Sequence, residues 1–187
     1  LLLSFTPTLM RIIGGKYKGK NIFAPKNLPV RPTTDFAKES LFNILANRID
    51  FDDLKLLELF AGTGNIGYEF SSRGCTDVTS VDVDFNCIRF IKKQNKELGF
   101  PNRVIRCEAF RFLKQQKESY DFVFADPPYQ MEGIDGLPNL VFDNNLLKPN
   151  GFLVVEHEKH LDFSEHPCFQ ETRKYGKVHF SFFTFTS

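Results

Sequence analysis

The sequence has no tryptophan and only two methionines, so any large core must be built from its 22 phenylalanines with Leu, Ile and Val. It has no apolar run long enough to span a bilayer, which excludes a helical membrane protein. Its four cysteines, Cys75, Cys87, Cys107 and Cys168, lack paired spacing. That suits reduced thiols in a cytoplasm better than a disulfide frame or a zinc site. The opening stretch from Leu1 to Leu9 holds no basic n-region, and Pro7 interrupts it, so no signal peptide is expected. Residues 1–9 are expected to stand outside the fold as a leader, with one domain over 10–187.

Acid is missing locally. Between Met10 and Thr34 lie Arg11, Lys16, Lys18, Lys20, Lys26 and Arg31 with no Asp or Glu, which leaves 18 basic against 23 acidic residues elsewhere. A segment charged this way either faces a polyanion or is a lysine-guarded edge hairpin. Charge alone leaves both open.

What is present is a regular alternation. Arg11 to Phe23 reads as a hairpin or arm around Gly14-Gly15, followed by a stiff connection through Pro25, Pro29 and Pro32. Thr34 or Asp35 caps a helix to about Arg48 whose inner side is Ala37, Leu41, Ile44 and Leu45. Strand-like runs follow at Lys55–Phe60, Val78–Asp82, Val104–Cys107, Phe122–Asp126 and Phe152–Glu156. Helix-like stretches lie between them, near Ile66–Arg73, Phe85–Leu98, Phe110–Gln116 and Leu137–Leu147. Alternation of this kind predicts an α/β fold with a parallel sheet covered on both faces. The tail departs from it, because Phe169–Tyr175 and Val178–Phe185 have only a turn between them and must form an antiparallel hairpin.

Gly62, Gly64 and Gly67 spell G-x-G-x-x-G after a strand and before a helix, where glycine lets the backbone turn tightly beside a nucleotide-like ligand. Asp82 ends the next strand, placed to accept from ribose hydroxyls. A nicotinamide dehydrogenase would share these features. Glu58, inside the strand before the loop, would repel a pyrophosphate but suit a ligand's ammonium. A P-loop reading of Gly14–Asn21 fails, because Asn21 replaces the hydroxyl that would bind Mg²⁺ and no helix follows. His157 and His160 beside Glu156 and Glu158 lack metal-ligand spacing and read as a solvated polar edge, so no metal is expected.

The run Phe124-Ala125-Asp126-Pro127-Pro128-Tyr129 ends the fourth strand abruptly, since neither proline donates a ladder bond. It holds a carboxylate, two carbonyls and an aromatic ring in one rigid turn, which hydride transfer does not require.

Together these residues resemble an S-adenosylmethionine-dependent methyltransferase, and more narrowly the ribosomal RNA small subunit methyltransferase D family. The likeness runs through Arg11-Ile12-Ile13-Gly14-Gly15, Arg31-Pro32-Thr33-Thr34 and Glu39–Leu45. It continues through Phe60–Gly64, Ser72-Arg73-Gly74 and Asp126–Tyr129, and closes at Lys174-Tyr175-Gly176. The resemblance implies a Rossmann-like seven-stranded methyltransferase sheet, mostly parallel with a C-terminal antiparallel hairpin, plus a short N-terminal β arm. It also implies methylation of the exocyclic N2 of guanine 966 in 16S rRNA. The substrate would be the small ribosomal subunit or a late assembly intermediate, met by a cytoplasmic monomer. By the same resemblance S-adenosyl-L-methionine would contact Glu58, Phe60, Gly62, Thr63, Gly64, Asp82, Glu108 and Ala109. Catalysis would fall to Asp126, Pro127, Pro128 and Tyr129, and RNA binding to Arg11, Lys16, Lys18, Lys20 and Arg31 within the arm, residues 10–34. Glu58 and Glu108 stand where the family often has Asp. The competing readings are an N6-adenine or N4-cytosine DNA methyltransferase, a protein-glutamine methyltransferase and a non-catalytic RNA-binding module.

Overall fold

In the computed structural model, which describes residues 8–29 and 34–185, the arm forms as a two-stranded antiparallel hairpin. Its strands are β1 (Thr8–Arg11) and β2 (Asn21–Ala24), paired from Thr8 with Ala24 to Arg11 with Asn21. Two residues of the stretch assigned to a leader therefore belong to a strand. Alternation buries Met10, Ile22 and Ala24 and turns Leu9 and Phe23 outward. The Gly14-Gly15 turn docks on a helix end rather than acting as a loose link. The Lys16 N–H donates to the Ser72 carbonyl at 2.6 Å, and the Ser72 hydroxyl donates to the Gly14 carbonyl at 2.6 Å. Gly15 has φ +72°, and a Cβ on it would overlap the Ser72 carbonyl, so only glycine fits there.

Helix α1 (Asp35–Leu45) starts at the expected cap, where Thr34 Oγ1 accepts the Ala37 N–H at 3.2 Å. It ends at Leu45, earlier than Arg48, and buries Phe42 and Lys38 beside Ala37, Leu41 and Leu45. The main sheet then alternates with helices. Its elements are β3 (Lys55–Leu59), α2 (Asn65–Ser72), β4 (Asp77–Asp82), α3 (Phe85–Leu98), β5 (Arg103–Arg106) and α4 (Ala109–Gln115). β6 (Tyr120–Ala125), α5 (Leu137–Asp143), β7 (Leu147–His157), β8 (Phe169–Tyr175) and β9 (Val178–Phe183) complete it. The strand order is β5-β4-β3-β6-β7-β9-β8, with β3 to β7 parallel and β9 antiparallel to both its neighbours. This is the Rossmann-like sheet that the resemblance implies. The order reverses between β3 and β6, and in open α/β sheets that reversal leaves a crevice at the carboxyl ends of the strands.

Phenylalanine does fill the core. One face of the sheet packs Leu57, Leu59, Val123, Val155 and Phe183 against α4 and α5. The other packs Leu56, Phe122, Phe124, Val154, Phe180 and Phe182 against α1 and α2. The arm lies over Tyr68 of α2 and Phe90, Ile91 and Leu98 of α3.

Two expectations are corrected. The helix expected to reach Leu147 stops at Asp143, because Asn145 at φ 54° turns the chain and Leu147 already pairs with Tyr120 in β7. Glu156 and His157 are not a solvated edge: their exposures are 2% and 4%. The hairpin docks with β9 against β7, making β8 the outer strand and burying the end of β7. His157 Nδ1 lies 2.8 Å from the Glu158 carbonyl and Nε2 lies 2.7 Å from Ser181 Oγ, and burial pushes its pKa below the ordinary 6.5. His160, by contrast, is largely exposed.

Candidate active site

The loop after β3 departs most from ordinary backbone. Phe60, Gly62 and Gly64 have φ of 55°, 55° and 77°, so three left-handed residues fall within five positions. For Phe60 this is a strained conformation of the kind held at functional sites. Neighbouring strands fix it: the Ala61 N–H donates to the Val81 carbonyl at 3.0 Å, and the Gly62 N–H donates to Asp82 Oδ2 at 2.7 Å. Asp82 Oδ1 accepts the Asp84 N–H at 2.8 Å, so one carboxylate ties the ends of β3 and β4 together. Gly67 explains the third glycine of the pattern. A Cβ there would stand 2.7 Å from Glu58 Oε2, so glycine permits the close packing of α2 on the sheet.

Glu58 is buried beneath this loop. It accepts the Gly67 N–H at 3.0 Å and the Ser80 hydroxyl at 2.6 Å, and burial raises its pKa from 4.5 to about 7. Glu108 caps α4, accepting the N–H groups of Phe110 and Arg111 at 2.9 and 2.8 Å. Asp84 caps α3 through Asn86 and Cys87, and those bonds, the one from Cys87 foremost, hold its pKa below 3.8. Each acid thus shapes a loop at the carboxyl end of the sheet.

One cavity of about 430 Å³ opens between these loops. Glu58, Phe60, Gly62, Thr63, Asp82, Glu108 and Ala109 line it, and so do Asp126, Pro127, Pro128 and Tyr129. The fold thereby joins, in one chamber, eleven of the twelve residues that the sequence reading divided between cofactor and catalysis. Gly64, the twelfth, is the N-cap of α2. Its Cβ would meet Tyr68 and Ile91. Phe110 packs edge-on against Phe60 at 6.4 Å, as a core residue. Sequence reasoning missed Thr34, Asn65, Val83, Cys87, Met131 and Glu156, which also line the cavity. For Glu156 a signal existed in an acid that follows Phe152-Leu153-Val154-Val155 without a break in the strand.

A buried ionic group joins this chamber to the arm. Lys38 and Glu69 are both fully buried, with Lys38 Nζ 3.8 Å from Glu69 Oε2. The same ammonium donates to the Arg11 carbonyl at 2.5 Å and to Asn65 Oδ1 at 2.9 Å. Glu69 accepts the Ile13 N–H at 2.9 Å and Arg73 Nε at 3.1 Å. Burial lowers the Lys38 pKa, and Glu69 opposes the shift. Of the RNA candidates, Arg11 pairs with Asp35 at 3.4 Å, and Lys16, Lys18 and Lys20 are exposed around the turn. Arg31 lies outside the described residues.

A parallel sheet reversed between β3 and β6, with a glycine loop and an acid-proline turn facing one cavity at its carboxyl end, defines a Rossmann-like methyltransferase fold. The Thermus thermophilus 16S rRNA N2 G1207 methyltransferase, solved with AdoMet and guanosine, has this fold (TM-score 0.73, 18% identity, 98% of this chain and 52% of that one). The chain itself belongs to the ribosomal RNA small subunit methyltransferase D family: the family described as Conserved hypothetical protein 95 matches residues 10–184. Ribosomal RNA small subunit methyltransferase D of Escherichia coli K12 is 35% identical over 150 residues, covering 80% of this chain and 75% of the relative. Its counterpart in Buchnera aphidicola subsp. Baizongia pistaciae is 32% identical over 181 residues, covering 94% and 92%.

Proposed function

We propose that the protein methylates the exocyclic N2 of a guanine in 16S rRNA, of the 966 type, using S-adenosyl-L-methionine. The observation that carries this reading is the single cavity shared by the glycine loop, Asp82 and Glu108 on one side and Asp126–Tyr129 on the other. Its volume of about 430 Å³ suits a nucleoside-sized ligand. The residues present fit the cofactor. Three left-handed positions bring the loop backbone close to a ligand, and Asp82 and Glu108 keep lone pairs beyond those already bonded. Exposed Val83 offers an apolar surface beside them. The bound cofactor supplies an electrophilic methyl group on a sulfonium.

The chain's own contribution is to make a poor nucleophile attack. The amine's lone pair is delocalised into the purine. In this reading the Asp126 carboxylate accepts one of its N–H bonds and the Pro127 carbonyl the other, which draws the nitrogen toward tetrahedral geometry and frees the lone pair. Asp126 also stabilises the cationic amine as it forms and receives its proton. Tyr129 stacks on the extruded base. Among the described residues no histidine lines the cavity, so positioning and electrostatics carry the reaction. The protein acts as a monomer in the cytoplasm on the small subunit or a late assembly intermediate. Its exposed Lys16, Lys18 and Lys20 contact phosphates there.

Labelled methyl transfer to small-subunit particles, set beside DNA and protein acceptors, tests the reading, with incorporation expected at one guanine N2. Asp126→Ala should lower the rate on the order of 10²–10³ while cofactor binding stays near wild type. Turnover within a few-fold of wild type would refute the role given to Asp126.

A further inference from the structure

We infer that Phe36, braced by Tyr175, is a stacking platform at the mouth of the cavity for the base beside the target guanine, with Lys174 and Lys177 on the adjoining phosphates. The inference rests on the RNA reading above and adds to it the place where the neighbouring nucleotide is held. Two elements far apart in the chain bring the rings together. Thr34, the N-cap of α1, lines the cavity, and Phe36 stands two residues on, in the first turn of the helix. β9 runs antiparallel to β7 with His179 opposite His157, so its first residue, Val178, lies at the carboxyl end of β7 and lines the cavity too. The turn that joins β8 to β9 therefore stands at the same rim, and Tyr175 comes just before it. The Phe36 and Tyr175 rings meet edge to face, with centroids 6.1 Å apart and planes at 78°.

Tyr175 is half-buried and also packs on Phe180, so it is anchored in the core. Phe36 is 66% exposed, more than any other large apolar side chain among the described residues. A single exposed ring would carry no argument by itself. This one is bordered by charge. Lys174 and Lys177 are exposed on either side of Tyr175-Gly176, and Arg11 reaches from the hairpin to Asp35, the neighbour of Phe36. Glu39, the next acid along α1, lies one turn further from the mouth. The apolar surface is therefore about one ring wide and edged by cations, which suits a base on its backbone and is too small for a protein partner. A guanine drawn into the cavity leaves its neighbour without a stacking partner. RNA-binding sites meet such bases with aromatic rings and follow the backbone with cations, whatever the base. Adjacent nucleotides share one phosphodiester, so the platform has to stand at the rim, and Phe36 does.

The test uses the full-length protein and small-subunit particles. Phe36→Ala should raise the Kd for the particles by about tenfold or more. The affinity for S-adenosylhomocysteine and the melting temperature should stay close to wild type. The slope of log K against log salt should not change, because a ring neutralises no phosphate, whereas replacing Lys174 and Lys177 by Ala should flatten it by about one to two. The sequence has no tryptophan, so Phe36→Trp places a single indole on the platform. It should bind like the wild type, and its fluorescence should be quenched when a base stacks on it. An unchanged Kd in Phe36→Ala would overturn the inference, and with a lowered melting temperature it would show that the ring pair only fastens α1 to β8. Indole emission that shifts to the blue without quenching would also overturn it, since the ring would then be covered by an apolar protein surface. The indole decides the matter even if Phe36→Ala fails to fold. Quenching by particles to which the wild type transfers no methyl group would uphold the platform and refute the proposed function instead.

Discussion

Replacing Glu58 by Gln should make the protein more stable at alkaline pH. The wild-type carboxyl is fully buried, and its pKa is raised from 4.5 to about 7, chiefly by burial, against the pull of its bonds from Ser80 and Gly67. A carboxyl raised in the folded state binds more protons there than in the unfolded chain. Its stabilisation is therefore complete below pH 4.5 and is lost as pH rises toward and through about 7. Between pH 5 and pH 8 that loss integrates to about 2–3 kcal/mol. Glutamine has the same shape and can still accept from Gly67 and donate to Ser80 Oγ, but it does not titrate. His157 works in the opposite direction: its lowered pKa makes the fold lose stability as pH falls below 6.5. That contribution is common to both proteins, so the difference between them isolates Glu58. Urea unfolding at pH 5, 6, 7 and 8 measures it. The variant should gain about 2–3 kcal/mol relative to wild type from the lowest to the highest pH. Parallel stability curves would refute the argument that the carboxyl is buried and raised.

The Lys38 network allows a second test. Lys38→Met should destabilise by about 3 kcal/mol, since breaking a buried pair leaves Glu69 short of a partner. It should also speed amide exchange at Ile13, whose N–H donates to Glu69. A loss below about 1 kcal/mol with unchanged exchange would show that Arg73 alone suffices. For the arm, neutralising Lys16, Lys18 and Lys20 should flatten the slope of log K against log salt by about two to three in binding to small-subunit particles. An unchanged slope would mean that the arm does not touch phosphate.

Features set by residues close together in the chain were legible before folding. Thr34 caps α1, alternating apolar residues make the strands, and Gly62 and Gly64 supply positive φ, each through contacts within a few positions. The assembly of Glu58, Asp82, Glu108 and Asp126 at one end of the sheet was also legible. Each stands at or near the carboxyl end of a parallel strand, and parallel strands bring those ends to the same edge. The burial of polar side chains was not legible, because it depends on partners far along the chain. Nothing close to Lys38 in the chain marks it for burial; the Arg11 carbonyl, Asn65 and Glu69 surround it only in the folded protein. Glu156 and His157 read as a wet edge because nothing local reveals that β9, rather than β8, docks against β7 and covers them. Pattern fixes an element and the face it presents; which polar groups lose water depends on which elements meet, and only the tertiary structure decides that.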